Sequence, residues 1–381
     1  MKREKEFSFY EFFAGGGMAR AGLGTHWKCL FANDFDAKKA ESYGRNWGEE
    51  HLHVKDVRNV EVSELPGEAD LSWASFPCQD LSLAGNGGGL NSERSGSFWP
   101  FWKLMQKLKH EKRNPKIILL ENVYGALTSH DGKDFTALYS SLLEIGYSVG
   151  AMVIDASHFV PQSRTRLFVV AVRSDLVIPS NLLASGPNPL WHPAAVLKAA
   201  QNLPMALIEK WLWWDLPEPP SRNKNFIDVI EDEPDGVTWK SDSDTEKLLM
   251  MMSEVNRKKV TKAQSAGYRM VGGVYRRTRN GRQRAEVRFD NVSGCLRTPS
   301  GGSSRQLLLI VEGESIRSRL LSPREAARLM GLDDGYVLPE NYNAAYHLAG
   351  DGVVVPVVEH LSEYLLTPIL RANTNKHKQV A

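Results

Sequence analysis

Cys78 follows a short apolar run, in the segment Ser75-Phe76-Pro77-Cys78-Gln79. The ionised cysteine side chain is strongly nucleophilic near neutral pH, and the carboxyl end of a strand is where open α/β sheets bind ligands. Glycines at 85, 87, 88 and 89 indicate that residues 81–94 form a mobile loop able to close over a substrate. Most lone cysteines are buried filler, so it is this context that makes Cys78 a candidate nucleophile.

A second polar pair, Glu121-Asn122, follows the apolar run 116–120 and stands at another predicted strand end. Burial can keep a carboxylic acid protonated at neutral pH, so Glu121 could donate a proton to a ring nitrogen. The alternative is a helix N-cap. In Gln162-Ser163-Arg164-Thr165-Arg166, alternation along a strand puts both arginines on one face, where they suit phosphate or carboxylate binding. A plain surface strand is the other interpretation.

Three glycines end the first apolar run, in Phe12-Phe13-Ala14-Gly15-Gly16-Gly17. They permit a tight turn and a close approach of the backbone to a ligand, and Asp34, about twenty residues on, suits the ribose hydroxyls of a nucleotide. Ala19 and Arg20 stand where a dinucleotide-binding motif would continue, which favours an adenosyl ligand without a pyrophosphate. A glycine turn beside an unrelated surface aspartate is the alternative.

The elements that must position these residues alternate between strand-like and helical runs over the first 175 residues, with helices predicted at 98–112 and 134–145. Alternation of this kind predicts an α/β fold with a mostly parallel sheet and helices on both faces.

The pattern changes after residue 174. Residues 181–233 are rich in Pro and Trp, and we favour core packing over a surface role for Trp191 to Trp214. Ser322-Pro323-Arg324-Glu325 predicts a helix start with Ser322 as its N-cap, and 356–370 predicts a last helix. We therefore predict a first domain at 1–180, a smaller irregular domain at 181–319, and a C-terminal return to the first domain at 320–381.

The composition of the 381-residue chain, 42% hydrophobic and 24% charged, is typical of a soluble globular protein. No run approaches the length needed to cross a bilayer and no signal segment follows the charged N-terminus, so we expect no membrane partner and a cytoplasmic location. Three cysteines cannot form a disulfide framework, and without a CxxC pair we expect no metal site.

The charge of the chain is unevenly distributed, although its formal net value is only +2. Residues 228–246 hold eight acidic side chains against one Lys, whereas residues 257–305 hold thirteen Lys or Arg against two acidic side chains. A basic block inside a globular chain favours binding to a nucleic-acid backbone, with a solvated surface loop as the alternative.

The order of these features resembles the cytosine-C5 DNA methyltransferases of bacterial or phage restriction-modification systems, over nearly the whole chain. The matching segments, in the family's order, are Phe13-x-Gly15-x-Gly17, Asn33-Asp34, Asp56-Val57, Pro77-Cys78-Gln79, Glu121-Asn122-Val123, Gln162-x-Arg164-x-Arg166, 324–331 and 350–358. Each alone is modest evidence, but eight in register are specific. Three positions depart from the family's usual residues. Met18 stands where the family usually has glycine, Asp34 where it has glutamate, and Asp351 where it has asparagine.

The resemblance implies a Rossmann-like methyltransferase fold that moves a methyl group from S-adenosylmethionine to C5 of a flipped-out cytosine in duplex DNA. Cys78 would add to C6 as a thiolate and form a covalent intermediate. Glu121 would hold N3 of the base, Asn122 would position the site, and Arg164 and Arg166 would hold the base and its backbone. The residues implied for the cofactor are Phe13, Gly15, Gly17, Asp34, Phe35, Asp56, Val57, Pro77 and Asp351.

The same resemblance makes 1–180 the catalytic and cofactor-binding domain and 181–319 the target-recognition domain. The residues that we predict to contact DNA are Gln79, Ser82, Arg94, Arg269, Arg276, Arg277, Arg279, Arg282 and Arg284. We expect double-stranded DNA as the partner and a monomer that works at the nucleoid of a bacterial cytoplasm. A cognate restriction endonuclease is left open as a further partner.

Three other functions remain in competition. An RNA cytosine methyltransferase would share the chemistry of Cys78 and Glu121, although the long basic segment favours DNA. A DNA-binding module without catalysis would need neither of these residues nor both arginines. A nicotinamide oxidoreductase is disfavoured by the missing third glycine and by Cys78. The sequence identifies neither the DNA target nor the base that removes the C5 proton.

Overall fold

The computed structural model describes residues 6–77, 96–279, 281–297 and 305–379. Contacts within the chain divide it into two compact units, the first made of residues 1–155, 165–219 and 357–381 and the second of residues 156–164 and 220–356. The predicted limits at residues 180 and 319 separate a catalytic from a target-recognition domain by function. The division by contacts does not test them, so they stay a prediction.

Seven strands form the sheet of the first unit. They are β1 (Phe7–Phe12), β2 (Trp27–Asp34), β3 (Leu52–Val54), β4 (Leu71–Ala74), β5 (Ile117–Val123), β6 (Tyr147–Asp155) and β7 (Thr165–Arg173). Their order is β3-β2-β1-β4-β5-β7-β6, and neighbours are parallel except that β7 runs antiparallel to β5 and β6. Six successive residues of β5 are buried, as expected where both faces of a sheet are covered. The predicted α/β class is confirmed.

Helices connect and cover the strands. They are α1 (Met18–Leu23), α2 (Ala37–Trp47), α3 (Phe98–His110), α4 (Lys133–Glu144), α5 (Ala194–Gln201), α6 (Met205–Ile208), α7 (Asp242–Met250), α8 (Glu254–Gln264), α9 (Pro323–Leu329), α10 (Tyr342–Asp351), α11 (Val355–Leu361) and α12 (Thr367–Gln379). The predicted start of α9 is confirmed, since Ser322 Oγ accepts from Glu325 N and Glu325 Oε2 accepts from Ser322 N. The last helix predicted at 356–370 is confirmed: α11, a π-helical turn at Ser362–Leu366 and α12 follow one another without a break, and the helix extends to Gln379.

The core of the first unit is rich in aromatic rings. Phe12 meets Phe101 of α3 edge-on at 5.0 Å between ring centroids. Trp191, Trp211 and Trp214 are 0%, 8% and 0% exposed, and the Trp191 indole donates to the Leu216 carbonyl at 3.0 Å. The preference for core packing over a surface role is therefore confirmed for these three tryptophans.

A four-stranded antiparallel sheet forms the centre of the second unit. Its strands are β8 (Met270–Arg279), β9 (Arg282–Arg288), β10 (Leu307–Glu312) and β11 (Ser315–Leu320), in the order β11-β10-β8-β9. A core that includes Leu248, Val260, Val274 and Leu309 packs α7 and α8 against it. The sequence predicts an irregular domain here, because arginines at the exposed positions of β8 and β9 hide the alternation of strands.

One ion pair in this unit is fully buried. Arg319 Nη2 lies 2.6 Å from Glu325 Oε1, and both side chains are 0% exposed. The same guanidinium lies over the ring of Trp239, 5.0 Å from its centroid, and donates to the Glu231 carbonyl at 2.7 Å. Such a pair fixes the N-terminal end of α9 against β11, because leaving either charge unpaired in the interior is costly.

One helical stretch is long and apolar enough to cross a membrane when only length and composition are considered, so the expectation that no run reaches this length is wrong. Residues Tyr342–Thr374 meet that measure with a mean hydropathy of 1.4, and 72% of the apolar window is buried within the protein. The stretch comprises α10, α11 and part of α12, with a break in helical structure at 352–354. Core helices of soluble proteins pass the same test.

Candidate active site

The carboxyl ends of β2, β1, β4 and β5 lie side by side at one edge of the seven-stranded sheet, because these strands are parallel neighbours. Gly15 follows β1, Asp34 ends β2, Pro77 follows β4, and Glu121 and Asn122 lie near the end of β5. Open α/β sheets bind ligands at this edge. The fold thus brings together the residues that the sequence selects from four separate segments.

Residues 78–95 lie outside the described residues, and with them four of the predicted site residues: Cys78, Gln79, Ser82 and Arg94. The chain is described up to the residue before the predicted nucleophile. Pro77 itself is exposed, whereas Phe76 is 3% exposed and packs its ring 5.3 Å from that of Phe98.

The glycine turn after β1 has free space beside Gly15 and is closely packed beside Gly17. Phe13, Gly15 and Gly17 have φ values of 58°, 55° and 76°, in the left-handed region that favours glycine. A Cβ added at Gly15 would meet no atom within 4 Å, whereas one at Gly17 would lie 2.7 Å from Trp47 Cδ1 and 2.9 Å from Tyr43 Cε2. Room for a ligand is therefore on the side of Gly15.

Asp34 closes this turn from the next strand. Its Oδ2 accepts from Gly15 N and its Oδ1 from Asp36 N, both at 2.8 Å. Burial raises the pKa of Asp34, and the two backbone hydrogen bonds oppose that rise. Each carboxylate oxygen has a second lone pair to offer a hydroxyl group. Phe35 beside it is 68% exposed, an unusual position for so large an apolar ring.

These features fit an adenosyl group. The Asp34 carboxylate suits ribose hydroxyls, the exposed Phe35 ring offers an apolar face to a purine, and the space in front of Gly15 admits a chain that passes close to the backbone.

The predicted pair Asp56-Val57 has local partners in the structure. Asp56 accepts from Arg58 N at 2.8 Å, which begins a 3₁₀ turn at Val57–Asn59, and it forms an ion pair with the Arg58 guanidinium at 2.6 Å. Arg58 lowers the pKa of Asp56. The Val57 side chain is 5% exposed and belongs to the core. Because Arg58 is 73% exposed, a ligand could displace this ion pair at a cost of about 1 kcal/mol or less.

Glu121 is 6% exposed and has a cationic partner, Arg166, whose Nε lies 3.3 Å from Glu121 Oε1. The two residues lie on neighbouring strands, where Glu121 of β5 pairs with Phe168 of β7. Arg166 also donates to the Thr165 carbonyl at 2.9 Å, which limits the freedom of its guanidinium. Burial of Glu121 is expected from the sequence, whereas its ion pair with Arg166 is evident only in the structure.

Asn122 holds the backbone that leads to Cys78. Its Nδ2 donates to the Phe76 carbonyl at 3.0 Å, and its Oδ1 accepts from Val123 N at 2.8 Å. The Asn122 side chain is 5% exposed, and its bond to the Phe76 carbonyl is buried. The amide therefore fixes the chain two residues before the predicted nucleophile.

Arg164 has different partners from Arg166. Its Nη2 donates to the carbonyls of Gly350 at 2.9 Å and Gly352 at 2.8 Å, and its Nη1 donates to the Leu296 carbonyl at 3.1 Å. Arg164 lies one residue before the start of β7, and its partners differ from the Glu121 and Thr165 contacts of Arg166, so the shared face stays a prediction. With 2% exposure, Arg164 holds the backbone on either side of Asp351 within the second unit.

A buried network behind the glycine turn was not indicated by the sequence. Trp47 Nε1 donates to the Gly16 carbonyl at 3.0 Å, and the Arg20 guanidinium lies over the rings of Trp47 and Tyr43. Arg20 donates to the Tyr43 hydroxyl at 2.9 Å, and Tyr43 donates to Glu11 at 3.4 Å. The helix periodicity of α2 could have placed Tyr43 and Trp47 on one face, but only the fold shows which loop they support.

The predicted DNA-contacting arginines fall into two groups. Arg276, Arg277, Arg282 and Arg284 are exposed on the β8–β9 hairpin, and the side chain of Arg279 lies outside what the structure describes. Arg269, by contrast, is 28% exposed and pairs with Asp232 at 2.6 Å and with Glu312 at 3.7 Å. Its charge is therefore largely compensated within the protein.

Two further observations bear on the chemistry. Among the residues that the structure describes, no group of three or more His, Cys, Asp or Glu side chains could hold a metal ion.

Cys29 is 1% exposed, and burial raises the pKa of its thiol to about 11, so it is protonated near neutral pH. Cys29 therefore has neither the access nor the ionisation that a nucleophile needs.

Comparison with known proteins agrees with this geometry. The family described as C-5 cytosine-specific DNA methylase matches residues 7–367. The Type II methyltransferase M.HpaII of Haemophilus parainfluenzae is 27% identical over 96% of this chain and 90% of that protein. M.HhaI of Haemophilus parahaemolyticus is 26% identical over 93% and 92%, whereas the 34% identity to M.BsuFI of Bacillus subtilis covers 45% and 41%.

Solved structures share the fold. The S. pombe Dnmt2 methyltransferase covers 95% of this chain and 99% of its own, with a TM-score of 0.59 and 19% identity. A putative DNA modification methyltransferase encoded within an E. coli prophage has a TM-score of 0.55 and 15% identity, over 97% of this chain. At such identities the likeness supports the Rossmann-like methyltransferase fold and nothing finer.

Proposed function

Since the chain belongs to the C-5 cytosine-specific DNA methylase family, we propose that it transfers a methyl group to C5 of a cytosine in duplex DNA, with Cys78 as its nucleophile. The observation that carries this proposal is the pair of contacts at the end of β5. Glu121 is held by Arg166, and Asn122 holds the Phe76 carbonyl two residues before Cys78. Both contacts lie in a site largely shielded from water, so the acid and the approach to the thiol are oriented before a substrate arrives.

The chemistry requires a nucleophile because C5 of cytosine is itself a poor one. When the Cys78 thiolate adds to C6, an S–C6 bond forms and the electron pair of the C5–C6 double bond makes C5 enamine-like. As negative charge develops at N3, Glu121, which Arg166 keeps in place, gives its carboxyl proton to N3 and takes it back when the C5–C6 double bond re-forms. After methylation a base removes the C5 proton, the C5–C6 double bond re-forms and the thiolate leaves.

The methyl donor that we propose is S-adenosylmethionine. When bound, it supplies an electrophilic sulfonium methyl group. Asp34 accepts from the ribose hydroxyls, Phe35 covers the purine, and the open side of Gly15 accommodates the remainder of the molecule. Phe13, Gly17, Asp56, Val57, Pro77 and Asp351 remain predicted members of the same site.

A cytosine inside a duplex cannot present C6 to a thiol, so the base must leave the stack. The second unit, with its basic hairpin, is the part of the chain that we propose to grip the duplex while this happens. The relatives are named Type II methyltransferases. We therefore propose that the protein has one specific DNA target and acts as a monomer in a bacterial cytoplasm. A cognate restriction endonuclease is a possible further partner.

The decisive experiment uses a duplex in which 5-fluorocytosine replaces cytosine. Without a removable C5 proton the enzyme stays attached, so we expect a covalent complex that survives denaturing electrophoresis and requires S-adenosylmethionine. Cys78→Ser should form no complex and should lose methyl transfer entirely, whereas Cys29→Ser, at a buried thiol, should still form it.

The target follows from bisulfite sequencing of DNA from cells that express the protein. Methylated cytosines in one sequence context are expected. Full activity of Cys78→Ser would refute the nucleophile, and methylation of RNA in place of a matched DNA duplex would refute the substrate.

A further inference from the structure

The second unit contains an open cavity of about 430 Å³ that the methyl-transfer chemistry does not use. Four cationic side chains line it, against one carboxylate: Lys259, Arg277, Arg288 and Arg297 against Glu286. One wall is the ring of Tyr275, whose hydroxyl donates to Gln306 Oε1 at 2.7 Å. A hollow with this excess of positive charge suits an anionic group.

The cations of the cavity are only partly neutralised by protein groups. Arg288 forms an ion pair with Asp290 at 2.5 Å, and Arg277 lies 3.6 Å from Glu286. Lys259 donates to the neutral Val287 carbonyl at 3.0 Å and to Asn256 Oδ1 at 3.3 Å. Among the residues that the structure describes, no carboxylate pairs with Lys259 or with the exposed Arg297. These two charges are the ones that an incoming anion would meet.

The cavity is continuous with the basic hairpin through Arg277. Arg277 of β8 stands directly opposite Arg284 of β9, and both are exposed. Like charges directly opposite on neighbouring strands are destabilising. A polyanion lying along this face would offset that repulsion, and a two-stranded ribbon is narrow enough to follow the groove of a duplex.

We propose that this cavity is a phosphate subsite, in which Lys259 and Arg297 hold one backbone phosphate of the DNA while the hairpin face lies along the duplex. This inference rests on the proposed function, because it takes duplex DNA as the ligand. The subsite positions the duplex and carries no sequence information of its own, since a phosphate is the same at every base pair.

The test measures binding of a fluorescent 30-base-pair duplex of mixed sequence by anisotropy, over a series of KCl concentrations. We expect Arg297→Gln and Lys259→Gln each to weaken binding roughly fivefold and to reduce the slope of log K against log salt by about 0.9. Arg317→Gln is the matched control, an exposed arginine on β11 at the opposite edge of the same sheet, and it should leave the slope unchanged.

Two outcomes would overturn the proposal. One is an unchanged slope in Arg297→Gln with an unchanged melting temperature. The other is binding of inorganic phosphate that depends on Lys259 and Arg297 while the slope for DNA does not, which would make the cavity a site for free anions. Because binding is measured without methyl transfer, either result leaves the proposed reaction standing. Conversely, wild-type protein that binds DNA but never methylates it would refute the reaction and not the subsite.

Discussion

The strand-end edge of the first unit and the hairpin side of the second unit use polar residues in opposite ways. At the strand ends Asp34, Glu121 and Asn122 are all less than 8% exposed, and each is oriented by a hydrogen bond or an ion pair. On the hairpin the arginines are exposed, and two of them, Arg277 and Arg284, face each other with the same charge. Chemistry at a single carbon demands fixed groups, whereas grip on a polyanion demands available charge.

The largest effect is expected for Glu121→Ala, which removes one of the fixed groups at the strand ends. Removing the group that meets charge at N3 should lower kcat by about 10²- to 10³-fold, because one preorganised electrostatic contact in a shielded site is worth that much. Single-turnover methyl transfer to a target duplex measures it. The exposed Glu144→Ala at the end of α4 serves as the control. Similar rates for both variants would show that Glu121 is only structural.

The strand-end residues could be predicted from sequence because each belongs to a short local segment at the end of an apolar run. Asp34 and Glu121 are in this class, and the fold places them as expected. The cavity could not be predicted, since Lys259 and Arg297 are 38 positions apart in sequence and meet only through the sheet. The Trp47 support of Gly16 is of the same kind, a contact between α2 and a loop 31 positions away.

Arg164 shows where a sequence pattern misleads. The regular spacing of Arg164 and Arg166 predicts one shared role, but in the structure the two side chains have different partners, backbone carbonyls for Arg164 and Glu121 for Arg166. The pattern also could not show that the guanidinium is committed to backbone carbonyls. We therefore expect one residue of this pair to serve the reaction and the other to serve the fold.

The next prediction separates those two roles. Arg164→Met should lower the free energy of unfolding by about 3 kcal/mol, because three buried carbonyls lose a charged donor. Arg166→Met should change stability less, since its side chain is 16% exposed, and should lower kcat more. Urea unfolding and single-turnover rates give both quantities. Equal losses of stability in the two variants would contradict the division of roles.

A pH-dependent effect on stability is expected at Glu11, the carboxyl of the network behind the glycine turn. Burial raises its pKa from 4.5 to about 8, against the opposing effect of Arg20. Between those values the unfolded chain releases a proton that the folded chain retains. Stability contributed by the protonated carboxyl is therefore complete below pH 4.5 and is lost as pH rises towards 8, by up to about 1.4 kcal/mol per pH unit.

Glu11→Gln removes this titration while keeping a polar side chain of the same size, so the fall in unfolding free energy from pH 5 to pH 8 should become shallower. Urea unfolding at each pH measures it, with the exposed Glu144→Gln as the control that should leave the slope unchanged. Cofactor affinity followed over the same range adds a second measurement. If the network supports the glycine turn through Trp47 and Arg20, wild-type affinity should weaken above pH 8, where Glu11 ionises, and Glu11→Gln should not show that change. A slope that is identical in Glu11→Gln and wild type would mean that the carboxyl is already ionised at pH 5, with its charge balanced by Arg20 and Tyr43.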